Sequence, residues 1–244
     1  MAEVLLNAQI LLSSLTGTTS FDLAPFTGTF DWDVNVNMVD NPRYDALGYK
    51  SIVPGICSGV IGTKGAADYA TGGVSSLINV ARAREAFTEG IIIGGVNAVA
   101  GSAANFTRGL LMHWKSPAGN VGDLAAYEMA LGVDNAPVDG YVAAPLATRG
   151  ALTGTAVQLG ALTGTQRLWA ALYVLGGTFT SLSVLVQSDT VGFPSPVTAI
   201  TFATVSAAGG QFLSLAAPLT DDYYRVSATI GSGTANYAVL FGRM

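Results

Sequence analysis

The sequence predicts a mostly-β protein built as two consecutive modules, with one helix in the first. Three observations lead there. Apolar and polar residues alternate with a period of two over many short runs, the pattern of strands buried on one face. Clusters of Gly, Pro, Ser and Asn separate those runs at turn-like intervals. A single stretch, GGVSSLINVARAREAFTEG (72–90), carries helical spacing, with Ser75 or Ser76 placed to cap it and Gly90 just beyond its end.

In chain order, AQILLSSL (8–15) reads as a first strand. In TGTFDWDVNVNMVD (27–40), Phe30, Trp32, Val34, Val36 and Met38 share one face and Asp31, Asp33, Asn35 and Asn37 the other. Residues 40–73 read as a loop-rich arm, followed by the helix over about 74–88. EGIIIGGVNAVAG (89–101), NFTRGLLMHW (105–114) and VGDLAAYEMALG (121–132) read as further strands that close a module over 1–145. AAPLATRG (143–150) reads as a linker, and the pentapeptide ALTGT at 151–155 returns at 161–165 but not at 171–175, a local echo and not an array.

The second module spans 150–244. Its strand candidates are RLWAALYVL, SLSVLVQS, TAITFATV, QFLSLAAP, DDYYRVSATI and NYAVLFGRM, separated by GG at 176–177, FPSP at 193–196, AAGGQ at 207–211 and GSGT at 231–234. Six or seven short strands in about 90 residues suit a sandwich of jelly-roll or immunoglobulin size. Leu168–Ser188 is uncharged and long enough to cross a membrane, but its glycine pair, hydroxyls and alternation make it a hairpin instead. The N-terminal stretch has no basic region ahead of its apolar residues, so no signal peptide is read there.

Composition narrows the function. Half of the residues are hydrophobic and 11% charged, an unusual surface for a solitary soluble chain and a natural one for a subunit covered by neighbours. Residues 1–150 carry 8 Lys and Arg against 13 Asp and Glu, and residues 151–244 carry 3 against 3. The absence of a basic cluster excludes tight nucleic-acid binding. The lone Cys57 leaves no disulfide within the chain, and the lone His113 sits in an alternating strand with nothing at ligand spacing. GICSGVIGTKG (55–65) lacks the Gly-Lys-Ser/Thr adjacency of a phosphate loop and reads as a surface loop. Asp189 in VQSDTVGFPSP is placed to start a turn. No catalytic arrangement, cofactor or metal is expected.

The blocks VQLGALTGTQRLWAAL (157–172), VQSD with the following GF and SP, and DYYRVS (222–227) before a final FG resemble the C-terminal domain of a group of tailed-phage tail proteins. The first module is similar in layout to a tail tube protein, a polar-faced strand leading into DNPRYDALGYKSIVPG (40–55) and then to a strand block, a helix and further strands; MVDNPRYD stands where that family has an acidic-Thr-Thr pattern. The resemblance implies a tail-tube-type β-sandwich or barrel followed by a decorating sandwich, in a non-enzymatic virion tail subunit assembled in the host cytoplasm. It also implies six-membered stacked rings around passing DNA, with further copies, the tape measure and other tail proteins as partners and no membrane insertion. Open sheet edges invite such pairing, and an acidic wall does not trap phosphates. Asp31, Asp33, Asp40 and Asp45 are candidate lumen or ring-contact carboxylates. An alternative is a carbohydrate- or receptor-binding sandwich displaying Trp169, Tyr173, Tyr223 and Tyr224.

Overall fold

A computed structural model describes residues 8–41, 51–66, 86–115, 126–134 and 137–244, with side chains placed for all of these except 32–41, 51–58 and 113–115. The described strands pair antiparallel throughout. The first strands are β1 (Gln9–Ser14), β2 (Ser20–Asp22), β3 (Thr27–Asn41), β4 (Ser51–Ala66) and β5 (Ala86–Ile92). Then come β6 (Ala103–Lys115), β7 (Ala126–Val133) and β8 (Val138–Arg149). Two short strands, β9 (Leu152–Thr153) and β10 (Val157–Gln158), lead into β11 (Arg167–Phe179), β12 (Leu182–Asp189) and β13 (Val197–Thr201). The last strands are β14 (Gly209–Ala216), β15 (Tyr223–Ile230) and β16 (Gly233–Arg243). The helices among the described residues are two single 3₁₀ turns, Ala24–Phe26 and Gly95–Asn97.

An eleven-stranded sheet follows the order β14-β11-β16-β8-β6-β5-β1-β2, with β7, β4 and β3 branching outward from β6. It curls until its two ends meet: a Cβ on Gly210 of β14 would lie 2.6 Å from the Ser13 Cβ of β1. A smaller sheet, β10-β15-β12-β13 with β9 beside β15, lies across one face.

Three cores result. Leu168, Ala170, Leu172 and Val174 of β11 pack with Tyr237, Val239 and Phe241 of β16 against Leu182, Val184, Val186, Tyr224 and Val226 of the smaller sheet. The intervening Ala171, Tyr173, Ala238 and Leu240 point the other way, onto Leu11, Ile92, Phe106 and Val142 inside the curl. A third core joins Ile10 and Leu12 of β1 and Phe87 of β5 to Ile61 of β4 and Tyr127, Met129 and Leu131 of β7. Each buried Leu, Ile or Phe here contributes about 1.5–3 kcal/mol.

The middle layer of β8, β16 and β11 is therefore covered on both faces, and it accounts for part of the high apolar content that composition attributes to neighbours. Its alternation separates one core from another, not core from solvent. AAPLATRG, read as a linker, carries β8 on to Arg149: the first half of β8, Val138–Tyr141, pairs with β6, and Ala144–Arg149 pairs with the last strand, β16. Gly176 and Gly177, read as a turn, lie inside β11 at a register shift, with φ of +143° and +137°. These are angles that only glycine adopts readily. The hairpin read into Leu168–Ser188 is two strands of different sheets, β11 and β12, so the chain changes layer there.

The first half departs from expectation at two more places. Residues 74–85 of the expected helix lie outside the described residues, and 86–88 open strand β5, hydrogen-bonded to β1 and β6 on its two edges. Pairing on both edges and burial of Phe87 override the local helical spacing. Within the expected arm, Ser51–Ala66 is strand β4, which includes the GICSGVIGTKG stretch read as a loop. Residues 42–50 and 67–73 of that arm are outside the described residues. His113 is in strand β6 as read.

Candidate assembly surface

Strand β3 has 15 residues, about 50 Å of extended chain at ~3.3 Å per residue. It pairs with β4 from Thr27 opposite Gly65 to Asn41 opposite Ser51. β4 is paired on its other edge only through Gly59–Ala66, with β7. Asn35–Asn41 and Ser51–Ser58 therefore run past the sheet as a two-stranded ribbon, and β3 offers its second edge to no described strand. Alone in water a two-stranded ribbon is barely stable, and an open edge is a row of unpaired N–H and C=O groups.

The base of this ribbon has an inner and an outer face. Ile61, Thr63, Met129 and Leu131 turn inward and are fully buried. Outward, Val60 of β4, Gly132 of β7 and Leu110 of β6 stand opposite one another in register. Val60 is 41% exposed, Leu110 49% and Met112 68%. Met112 lies over the Gly132 backbone, where a Cβ would collide with its side chain. Polar pairs border the patch. Lys64 Nζ lies 3.0 Å from Glu128 Oε1, and Arg108 Nε donates to both Asp134 oxygens at 3.0 Å. Such exposed pairs add at most about 1 kcal/mol each.

Three of the sequence-derived carboxylates, Asp31, Asp33 and Asp40, lie along β3. Asp31 is exposed on β3 opposite Gly62. The backbone places Asp33 opposite Val60 and Asp40 opposite Ile52. Asp33 and Asp40 are seven residues apart, about 23 Å along the strand. Asp45 is outside the described residues. No group of three His, Cys, Asp or Glu suited to a metal occurs among the described residues, and no described helix is long and apolar enough to cross a membrane.

A cleft between β1, β2 and the start of β3 is lined by Gln9, Asp22, Pro25, Phe30 and Ile91. Its carboxylate is occupied: Asp22 Oδ2 accepts from Gln9 Nε2 at 2.9 Å and Oδ1 from the Ala24 N–H at 3.0 Å. Of the four aromatic residues read as a sugar platform, Tyr173 and Tyr224 are fully buried. Burial raises the Tyr224 phenol to about 12, with Asp221 and Asp222 adding to the shift. Asp189 does start its turn, accepting from the N–H groups of Thr190 at 2.7 Å and Ser195 at 2.6 Å.

One charged residue escaped the sequence reading. Glu89 on β5 is fully buried, beneath β4 and β7. Its place between Phe87 and Ile91, on the apolar face of an alternating run, is the signal that marks it.

No family model and no curated protein matches this chain. Among solved structures, it is similar to a chain from the tail of an empty gene transfer agent particle refined with C6 symmetry. The identity is 17% and the TM-score 0.43, over 57% of this chain and 98% of that one. A chain of the activated phage p2 baseplate is 10% identical with a TM-score of 0.34, over 97% of this chain and 98% of that one. The SPP1 Dit protein, described as a hub adsorption apparatus of phages infecting Gram-positive hosts, is 8% identical with a TM-score of 0.30, over 96% and 99%.

Proposed function

We propose that this chain is a structural, non-enzymatic subunit of a phage-type tail, which assembles with its own copies into stacked rings, six-membered as the sequence resemblance implies, around a bore for DNA. The observation that carries this reading is the ribbon of β3 and β4, in which the 15-residue β3 pairs with no described strand other than β4. A strand border of that length is complete only when another strand adds to it, and a head-to-tail contact repeated between copies closes into a ring. The exposed Val60, Leu110 and Met112 lie at the base of the ribbon and suit burial in the same contact.

In this reading residues 1–145 carry the assembly contacts, β11, β14 and β16 of 150–244 complete their sheet, and the smaller sheet of 150–244 decorates or braces the outside. The acidic excess of residues 1–150 suits a wall along which phosphates slide. Asp31, Asp33, Asp40 and Asp45 line the bore or meet a neighbouring copy. The tape measure and other tail proteins are the further partners. The chain is built in the host cytoplasm and ends in the virion tail, and DNA passes without being held.

Electron microscopy and sedimentation of the purified chain test the proposal. Rings with a central hole, or striated tubes, are expected; a strict monomer at high concentration overturns it. Replacing the four aspartates by asparagine is expected to slow DNA ejection or weaken ring contacts, and unchanged assembly and ejection would discard their role. The receptor-binding alternative gains nothing from Tyr173 and Tyr224, whose rings are core.

A further inference from the structure

We propose that Glu89 is a proton-operated switch in the seam that joins β4 and β7 to β5, and that loss of its proton loosens the strand carrying the ribbon. The carboxyl group is fully buried. Its Oε1 accepts one long hydrogen bond, from Thr63 Oγ1 of β4 at 3.5 Å, and Oε2 has no partner. Around it stand Phe87 and Ile91 of its own strand, Leu12 of β1 and Thr107 of β6 in register, and the third core's Ile61 and Met129.

Among the described residues, the titratable groups that face it are phenols, Tyr127 of β7 and Tyr173 of β11, whose pKa values its charge would raise. Both hydroxyls are engaged elsewhere, Tyr127 with Thr27 Oγ1 at 2.8 Å and Tyr173 with Thr88 Oγ1 at 3.1 Å. The nearest cations in sequence to its partners, Lys64 and Arg108, lie in the outer ion pairs with Glu128 and Asp134.

An anion so placed has lost its water and gained one weak donor. The neutral acid is the form that fits, and burial lifts the Glu89 carboxyl from 4.5 to about 8. Neutrality keeps β5 against β4 and β7. Ionisation favours any state in which water reaches the carboxylate, and the shortest route is to part Thr63 from Glu89 across the seam. β4 then carries the displacement outward, because its Ser51–Ser58 half is the ribbon.

The sign follows from the proton count. In the open state Glu89 ionises near 4.5, and in the closed state near 8. Between those values the open state binds fewer protons, so opening grows about tenfold per pH unit and levels off on either side. The switch acts within one chain and holds whether or not copies assemble, so its test reads the chain itself.

Hydrogen exchange at the β4 and β7 amides, corrected for intrinsic rates, is measured on the full chain from pH 5 to 9. Wild type is expected to open about four hundredfold more at pH 8 than at pH 5. Glu89→Gln is expected to be flat across that window. Thr63→Val, which removes the one donor, is expected to move the upper plateau to higher pH. Equal pH profiles for wild type and Glu89→Gln overturn the proposal. If Glu89→Gln fails to fold, wild type and Thr63→Val decide alone: equal protection at pH 5 and pH 8 in wild type, or an unmoved plateau in Thr63→Val, overturns it.

Discussion

At the residue scale the interior shows how closely side-chain type and place are matched. Gly90 sits where a Cβ would lie 2.6 Å from the Tyr173 hydroxyl and 2.8 Å from Leu240 Cδ1. Gly90→Ala is therefore expected to destabilise by about 1–3 kcal/mol, read as a lower denaturant midpoint with an unchanged slope. The glycine was visible in the sequence, but its pairing with a tyrosine 83 positions away was not. Asp189 is the opposite case. Its role was legible because an Asp at the end of an alternating run, ahead of GFPSP, bonds the backbone that follows it. Asp189→Ala is expected to cost about 1–2 kcal/mol and to speed proteolysis within residues 190–196, since two N–H groups lose their acceptor. Glu89 adds a pH dependence. Its raised pKa means that stability falls as pH climbs from about 5 towards 8, and at pH 7 Glu89→Gln is expected to be the more stable chain by roughly 1–3 kcal/mol in equilibrium unfolding.

At the element scale, strands whose polar face meets solvent were read with their facing correct. β12 and β15 bury Leu182, Val184 and Val186, and Tyr224, Val226 and Ala228, in the expected alternation. β11 was read as a strand, but its glycine pair was read as a terminus. A bulge and a turn use the same residue for the same reason, freedom at positive φ, and only the strand on the other side of the ladder distinguishes them. The outer patch on β4 and β6 belongs to this scale too. Val60→Lys with Met112→Lys is expected to leave monomer stability within about 0.5 kcal/mol, because both side chains are exposed, yet to abolish self-association in sedimentation. Unchanged association in that double variant removes the patch from the contact.

At the scale of the whole molecule, β8, β16 and β11 belong to two cores at once. Damage on either side of that layer reaches the other. Leu240→Ala empties a site inside the curl, on the inner face of the shared layer, and is expected to cost about 2–5 kcal/mol, lowering one shared transition in calorimetry. Two separate transitions, with the variant moving only one, would show the cores to be independent. The ribbon lies outside this cooperative layer, held at its base by the pairing of β4 with β7 and by the third core.

The sequence by itself determined the strand class, the facing of strands with one polar side, the turn at Asp189, and the acidic, sparsely charged character of the first 150 residues. These are local or additive properties, carried by periodicity and composition. Tertiary structure alone decided that AAPLATRG pairs with the last strand, that β4 stands where a loop was read, and that Glu89 is sealed in a core. Each depends on which distant strand supplies the second ladder or the covering face. Hydrogen bonds between residues a hundred positions apart leave no periodic mark on the residues that make them.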